Sequence, residues 1–261
     1  MKAIILSAGQ GKRLLPFTAD LPKCLVKVSG KAILEWQIDE LVKCGISEIT
    51  VVTGYGADKV TALLENNDKP QAISTFYNPD YATTDNLVSC WSVREKMNED
   101  FILLNGDTLF EAAVLKKLLT SPASPITVTI NHKDRYDADD MKVSLDQDQL
   151  IRIGKKLSTD ETHGESIGMI LFRGNGPATF HKELENAMAE PQALNRWYLS
   201  VIDAIAQKNT VLTCSIKGLR WCEVDCPADL QEAAKVVAGF HPKAISDINV
   251  EAYDLHEAVA F

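Results

Sequence analysis

The chain has 261 residues, 46% hydrophobic and 24% charged, which is enough for one large α/β domain with a well-buried core. Its net charge of -9 argues against a nucleic-acid partner, because binding a phosphate backbone normally needs a clustered basic surface. No apolar run approaches the ~20 residues of a membrane span, and six cysteines in no even framework, with Met1 leading straight into a strand-like run, point to a reduced cytoplasmic protein without a signal peptide.

Short runs rich in Ile, Val and Leu at residues 3–6, 49–53, 73–77, 101–104 and 126–130 predict buried parallel strands. Between them lie helical stripes: Ile33, Leu34, Ile38, Leu41 and Val42, closed by Gly45; Val60, Leu63 and Leu64; Val114, Leu115, Leu118 and Leu119. Strands that alternate with helices imply βαβ units and a sheet whose ligands sit at the carboxyl ends of its strands. The second half changes character, with strands in series at 142–145, 150–155 and 166–172, helices at 177–188 and 199–207, and a last strand at 211–216. These predict an antiparallel, substrate-side extension of the sheet. Pro227 suits the first turn of a final helix ended by Gly239. Residues 1–239 thus form the domain, and 240–261 read as a docked tail or the opening of a second domain or fusion partner.

The first strand runs into Ser7-Ala8-Gly9-Gln10-Gly11, where backbone N–H groups can converge on a phosphate with no Cβ in the way. A Walker A loop would need Ser or Thr where Arg13 stands, and a dinucleotide fingerprint a third glycine where Leu14 stands. By itself the loop is equally readable as a tight turn. The continuation carries more: Leu6, Gly9, Gly11, Arg13, Pro16, Thr18, Pro22 and Lys23 match LxxGxGxRxxPxTxxxPK at fixed spacing. This resembles the opening motif of the sugar-phosphate nucleotidyltransferase family, with Ala8 where that family usually has a further glycine, and the order of later elements extends the likeness over residues 1–238.

The resemblance implies an α/β fold, a Rossmann-like three-layer sandwich with a mostly parallel central sheet and an antiparallel extension on the substrate side. It also implies a loop that wraps a nucleoside triphosphate, with Leu6, Ala8, Gly9 and Gly11 near the nucleotide, Arg13 on the β and γ phosphates, and Lys23 bridging the α-phosphate and the acceptor. Arginine offers a planar fork to leaving pyrophosphate, while lysine is a compact charge that can follow the reacting oxygens. Asp107, just beyond a buried strand, stands where the family carries its metal-binding Asp. Glu223 and Asp225 are two apart and face one side of an extended strand. A Mg2+ ion takes few carboxylates and completes its shell with phosphate oxygens and water, which Asp107 plus one or both of these would suit. Asp225 is also placed to cap the helix near Pro227. Cys222 and Cys226 lack a second ligand pair at zinc spacing. No general base is needed, since an acceptor phosphate or phosphonate is already ionised, and His132, His163 and His181 read as surface or loop residues.

The stretch YNPDYATTDNLVSCW resembles the loop of bacterial phosphocholine cytidylyltransferases and of relatives acting on aminoethylphosphonate or inositol phosphate. That favours CTP as donor, with Asn86 and Ser89 near the nucleotide. For the acceptor, the acidic segment with Asp139 and Asp140 suits a cationic head, Lys142 a phosphorus group, and Glu165 an amine or hydroxyl. Trp197 and Tyr198 are placed to meet an ammonium by cation–π attraction, or else to fill core. The expected activity is cytidylyl transfer to a small phosphorylated or phosphonylated amino alcohol, with inositol 1-phosphate or a sugar 1-phosphate as the alternative acceptor. A nucleotide-binding regulatory subunit without turnover is the non-enzymatic alternative, and a homodimer stays open as an assembly.

Overall fold

The structure is a computed structural model that describes residues 1–65 and 72–240. The tail expected at 240–261 lies, from residue 241 on, outside the described residues. In chain order the elements are β1 (Lys2–Ser7), β2 (Lys27–Val28), β3 (Lys31–Ala32), α1 (Ile33–Lys43), β4 (Glu48–Thr53), α2 (Ala57–Glu65), β5 (Ala72–Tyr77), α3 (Asn86–Ser92), β6 (Phe101–Asn105), β7 (Thr108–Phe110) and α4 (Ala112–Leu119). Then follow β8 (Ile126–Asn131), β9 (Lys142–Asp146), β10 (Gln149–Ile153), β11 (Gly164–Phe172), α5 (Gly176–Met188), α6 (Leu199–Ala206), β12 (Leu212–Ser215), β13 (Trp221–Glu223) and α7 (Asp229–Ala238).

The main sheet has the order β5-β4-β1-β6-β11-β8-β12-β10-β9. β5, β4, β1 and β6 are parallel, β11 runs antiparallel between β6 and β8, β12 is parallel to β8, and β10 and β9 extend the sheet antiparallel. Two expectations change. β8 is cut off from the parallel set by β11, and β5 is an edge strand whose residues are mostly exposed, not a buried one. Being apolar and β-branched was enough for β5 to pair with β4, but no element covers its outer edge among the described residues.

Strand alternation supplies the layers. In β1, Ile4 and Leu6 join a core with α3, α5 and α6, while Ala3 and Ile5 join a second core with α1, α2 and α4. Helix α1 ends as its sequence predicts: Gly45 adopts φ +79°, its N–H donates to Val42 O at 2.9 Å, and that of Ile46 to Leu41 O at 3.2 Å. At the other end of the chain the prediction shifts. Pro227 lies before α7 and not in its first turn, and Gly239 closes α7 with an ordinary right-handed φ of -81°.

A third, smaller core lies off the sheet. It packs Leu14 of the first loop, Val26 and Val28, Ile33 and Trp36 of α1, Leu109 of β7, Val224, and Ala233 and Val237 of α7. The two-stranded pairing of β7 with β13 underlies it.

Phe172 stacks on Phe101 with centroids 4.4 Å apart and packs on Phe180 at 4.6 Å, tying β11 to β6 and α5. Phe172→Ala is expected to lower unfolding free energy by about 3–5 kcal/mol, read from urea denaturation.

Candidate active site

The carboxyl ends of β1 and β6 open onto a cavity of about 160 Å3 that joins distant parts of the chain. Six carboxylates line it, Asp107, Asp139, Asp140, Glu165, Glu223 and Asp225, against the cations Arg13 and Lys155. Asn86, Asn105, Met141, Ser166, Gly168, Trp197 and Leu199 complete the wall.

The first loop is folded by small residues at close approaches. Gly11 has φ +77°, and a Cβ there would sit 2.7 Å from Cβ of Lys23, so the loop can double back only with glycine at this point. The buried Thr18 hydroxyl donates to Gly11 O at 2.8 Å and locks that fold. Leu6 and Ala8 are buried beneath it, their carbonyls accepting from Gly106 N and Tyr55 N, both at 3.0 Å, while Gly9 is exposed. Lys23 thereby reaches Asp107 Oδ2 at 2.7 Å and also pairs with Asp225.

Asp107 is placed by the turn between β6 and β7. Gln37, buried on α1, donates to both Asn105 O and Thr108 O at 2.8 Å, and Gly106 presses against Ser7, where a Cβ would lie 2.4 Å from the Ser7 hydroxyl. Glu223 and Asp225 come from the end of β13, with Val224 between them facing the small core. Asp225 does not cap α7. Its backbone N–H and that of Cys226 donate to Asp229 Oδ2 at 2.7 Å, so Asp229 holds the turn and leaves the Asp225 carboxylate for Lys23 and for Arg13 at 3.1 Å.

Crowding of like charge leaves its mark on these groups. Burial, then Asp107 and Asp225, push the Glu223 carboxyl up to about 8. Burial works against the Lys23 charge, yet Asp107 and Asp225 outweigh it and hold its pKa above the ordinary value. For Asp225 burial also opposes the charge, and Lys23 and Arg13 more than compensate, leaving its pKa lowered.

On the far wall, β11 bends at Gly168 (φ +69°), where its register to β8 shifts between Ser166 and Ile170. The bend pairs Gly164 and Glu165 with β9 and leaves Glu165 and Ser166 on the cavity. Lys133 bridges Asp140 and Glu165, both at 2.7 Å. Arg13 reaches Asp139 at 3.0 Å, and Lys155 reaches Asp139 at 3.3 Å while its ammonium lies 4.5 Å above the Trp197 ring.

Lys23 and the first-loop residues Leu6, Ala8, Gly9 and Gly11 lie beside the cavity and not in its lining, and three further expected site residues are turned away from it. Lys142 is buried and donates its ammonium to Lys155 O at 3.0 Å, bracing the strand pair rather than facing a ligand. Tyr198 is fully buried, because its ring fills core between α3 and α6, and of the two neighbouring aromatics it is Trp197 that meets the cavity. Ser89 is buried and accepts from Asn78 Nδ2 at 3.0 Å. Conversely, sequence reasoning missed Asn105, Lys133, Lys155, Ser166 and Gly168. Asn105 alone carried a local signal, standing at a strand end two residues before Asp107.

The sequence pattern described as Nucleotidyl transferase matches residues 2–140, more than half of the chain. The chain belongs to the nucleotidyl transferase family. It is 28% identical over 260 residues to CTP:phosphoglutamine cytidylyltransferase of Campylobacter jejuni, covering 88% of this chain and 98% of the relative. It is 36% identical over 122 residues to CMP-5'-(3-aminopropyl)phosphonate synthase of Streptomyces rubellomurinus, covering 47% of this chain but 19% of that longer protein. A third relative, UTP--glucose-1-phosphate uridylyltransferase AglF of Haloferax volcanii, is 28% identical over 245 residues, covering 89% and 95%. Among solved structures, the inositol-1-phosphate CTP transferase from T. maritima superposes with a TM-score of 0.76 at 21% identity, covering 92% of this chain and 95% of that one, which shows the shared α/β nucleotidyltransferase fold.

Leu14, next to Arg13 and wholly buried in the small core, is expected to matter to both stability and site. Leu14→Ala should lower unfolding free energy by about 2–5 kcal/mol in urea titration. Gln37→Leu, which leaves two turn carbonyls unpaired, should cost about 1–3 kcal/mol by the same measurement.

Proposed function

We propose that this nucleotidyltransferase moves CMP from CTP to a small phosphorylated or phosphonylated amino alcohol, such as phosphocholine, phosphoethanolamine or 2-aminoethylphosphonate, and releases pyrophosphate. The observation that carries this reading is the charge of the cavity wall: beyond Lys23 and Asp107 lie Asp139, Asp140 and Glu165 beside the Trp197 ring. Such a wall suits an acceptor with an anionic reacting end and a cationic head, since carboxylates and an indole face both attract ammonium. An ammonium of the protein's own, that of Lys155, already rests between Asp139 and Trp197. The cytidylyltransferase relatives support the choice of CTP.

In this reading an acceptor oxygen, ionised at neutral pH, attacks the α-phosphorus as the bond to the β-phosphate oxygen breaks. The backbone at Ala8, Gly9 and Gly11 cradles the triphosphate beside Leu6, with Asn86 toward the nucleotide. Arg13 takes the charge that grows on leaving pyrophosphate, and Lys23 follows the oxygens around the α-phosphorus. Catalysis is alignment and charge stabilisation, so no side chain removes a proton.

A divalent cation fits the donor set. Asp107, Glu223 and Asp225 offer hard carboxylate oxygens, and Asp107 Oδ1 is buried without a partner. Among the described residues no three His, Cys, Asp or Glu side chains are drawn together to hold a metal alone, and Lys23 lies between two of these carboxylates. Mg2+ asks for less than such a cage, because one or two carboxylates plus phosphate oxygens and water complete its shell. When bound it would neutralise phosphate charge and template the in-line geometry.

A second reading, transfer to inositol 1-phosphate or a sugar 1-phosphate, is favoured by the uridylyltransferase relative and the inositol-phosphate structure. A pyrophosphate-release matrix separates the two: CTP, UTP, dTTP and ATP against phosphocholine, phosphoethanolamine, 2-aminoethylphosphonate, inositol 1-phosphate and glucose 1-phosphate. CTP with one of the amine acceptors is expected to give the highest kcat/KM, and a win for glucose 1-phosphate with UTP or dTTP would overturn the proposal. Asp107→Ala is expected to remove nearly all turnover with far-UV circular dichroism unchanged, and substantial activity retained with Mg2+ would refute a metal role for Asp107.

A further inference from the structure

Tyr198, which does not touch the cavity, governs two residues that do. Its backbone N–H donates to Asn86 Oδ1 at 2.9 Å, and its hydroxyl donates to Asn105 Oδ1 at 3.1 Å. A backbone N–H can only donate, so the Asn86 amide is oriented without ambiguity, its oxygen toward Tyr198. The Tyr198 phenol is fully enclosed and donates to the Asn105 oxygen, which is turned inward as well. Both asparagines line the cavity, and neither amide nitrogen donates to another described residue.

The room for the second amide is also built. Gly168, at the bend of β11, would with a Cβ stand 2.3 Å from Asn105 Nδ2, so only glycine leaves that NH2 group its place. Two neutral NH2 groups are thus presented to a cavity otherwise walled by carboxylates. One of them stands two residues from Asp107, at the reacting end.

The geometry points to Asn86 and Asn105 as a paired-donor subsite for a phosphorus oxyanion, with Tyr198 as the positioning residue that turns both amides donor-outward. The inference rests on the proposed function only in taking a phosphorus group as the ligand. The oxyanion belongs either to the acceptor or to the triphosphate. In an acid-lined cavity such a group needs donors, and uncharged amides provide them without adding a partner that would neutralise the neighbouring carboxylates.

The test is isothermal titration of the full chain in Mg2+ with methylphosphonate, which carries the phosphorus group and no amine, and separately with CTP. Wild type is compared with Tyr198→Phe, which keeps the ring and the backbone N–H, and with Asn105→Asp, which keeps the shape and replaces the donor with a charge. Tyr198→Phe is expected to weaken one of the two probes about tenfold, as for the loss of one oriented hydrogen bond. Asn105→Asp should weaken the same probe further, and the other probe should bind as in wild type. A loss confined to methylphosphonate assigns the subsite to the acceptor, and one confined to CTP assigns it to the triphosphate. Equal losses for both probes, as a merely structural role would give, or no loss for either, overturn the inference, as does a wild type that binds neither. Because no turnover is measured, cytidylyl transfer can fail while this result stands, and the converse also holds.

Discussion

Everything at the site depends on a contact that contains no charge. Leu14, Leu109 and Val224 are fully buried in one small apolar core, and each is a near neighbour in sequence of a charged residue of the cavity. Leu14 follows Arg13, Leu109 comes two residues after Asp107, and Val224 separates Glu223 from Asp225. Lys23 draws Asp107 and Asp225 together, while burial and then the charges of those two carboxylates hold the Glu223 pKa above its ordinary value. Burying each of these side chains is worth about 1.5–3 kcal/mol, enough for packing to hold together carboxylates that repel.

Around that anchor the charges are arranged by role. Lys23 lies between Asp107 and Asp225, to which it is linked across 84 and 202 residues of sequence. Arg13 spans from Asp225 to Asp139 and so touches both the reacting end and the acidic wall. Across the proposed site Lys23 and Arg13 pair with Asp107, Asp225 and Asp139, cation against carboxylate. Triphosphate and dication arriving together would replace these internal pairs with external ones of the same sign. The pairing leaves Asp107 Oδ1 buried without a partner.

Much of the fold could be read directly. Strand runs apolar on both faces announced a sheet covered on two sides, and the helical stripes of α1, α2 and α4 found their places beneath it. The fixed spacing from Leu6 to Lys23 and the strand-end position of Asp107 pointed to residues that the structure brings together, since local backbone geometry sets their place. What stayed hidden depends on tertiary detail. No local pattern says that β11 bends at Gly168, so the sequence offers Glu165 without the bulge that sets it on the cavity and gives no sign of Ser166. Lys142 and Tyr198 sit on the right elements, yet one braces a carbonyl and the other fills core, a difference set by side-chain depth and not by residue type. β5 has the composition of a central strand and the place of an edge.

Helix α1 supplies no atom to the cavity, yet its buried face carries two pegs three residues apart. Gln37 holds the turn that bears Asp107, and Glu40 accepts from Ala112 N at 2.7 Å where α4 begins. Drift at Gln37 would be felt as a shift of Asp107 against its neighbours. The placing of Asp107 therefore reaches into a helix that supplies nothing to the cavity, and a search for tolerant sites in this protein should pass over the inner face of α1 in favour of its outer one.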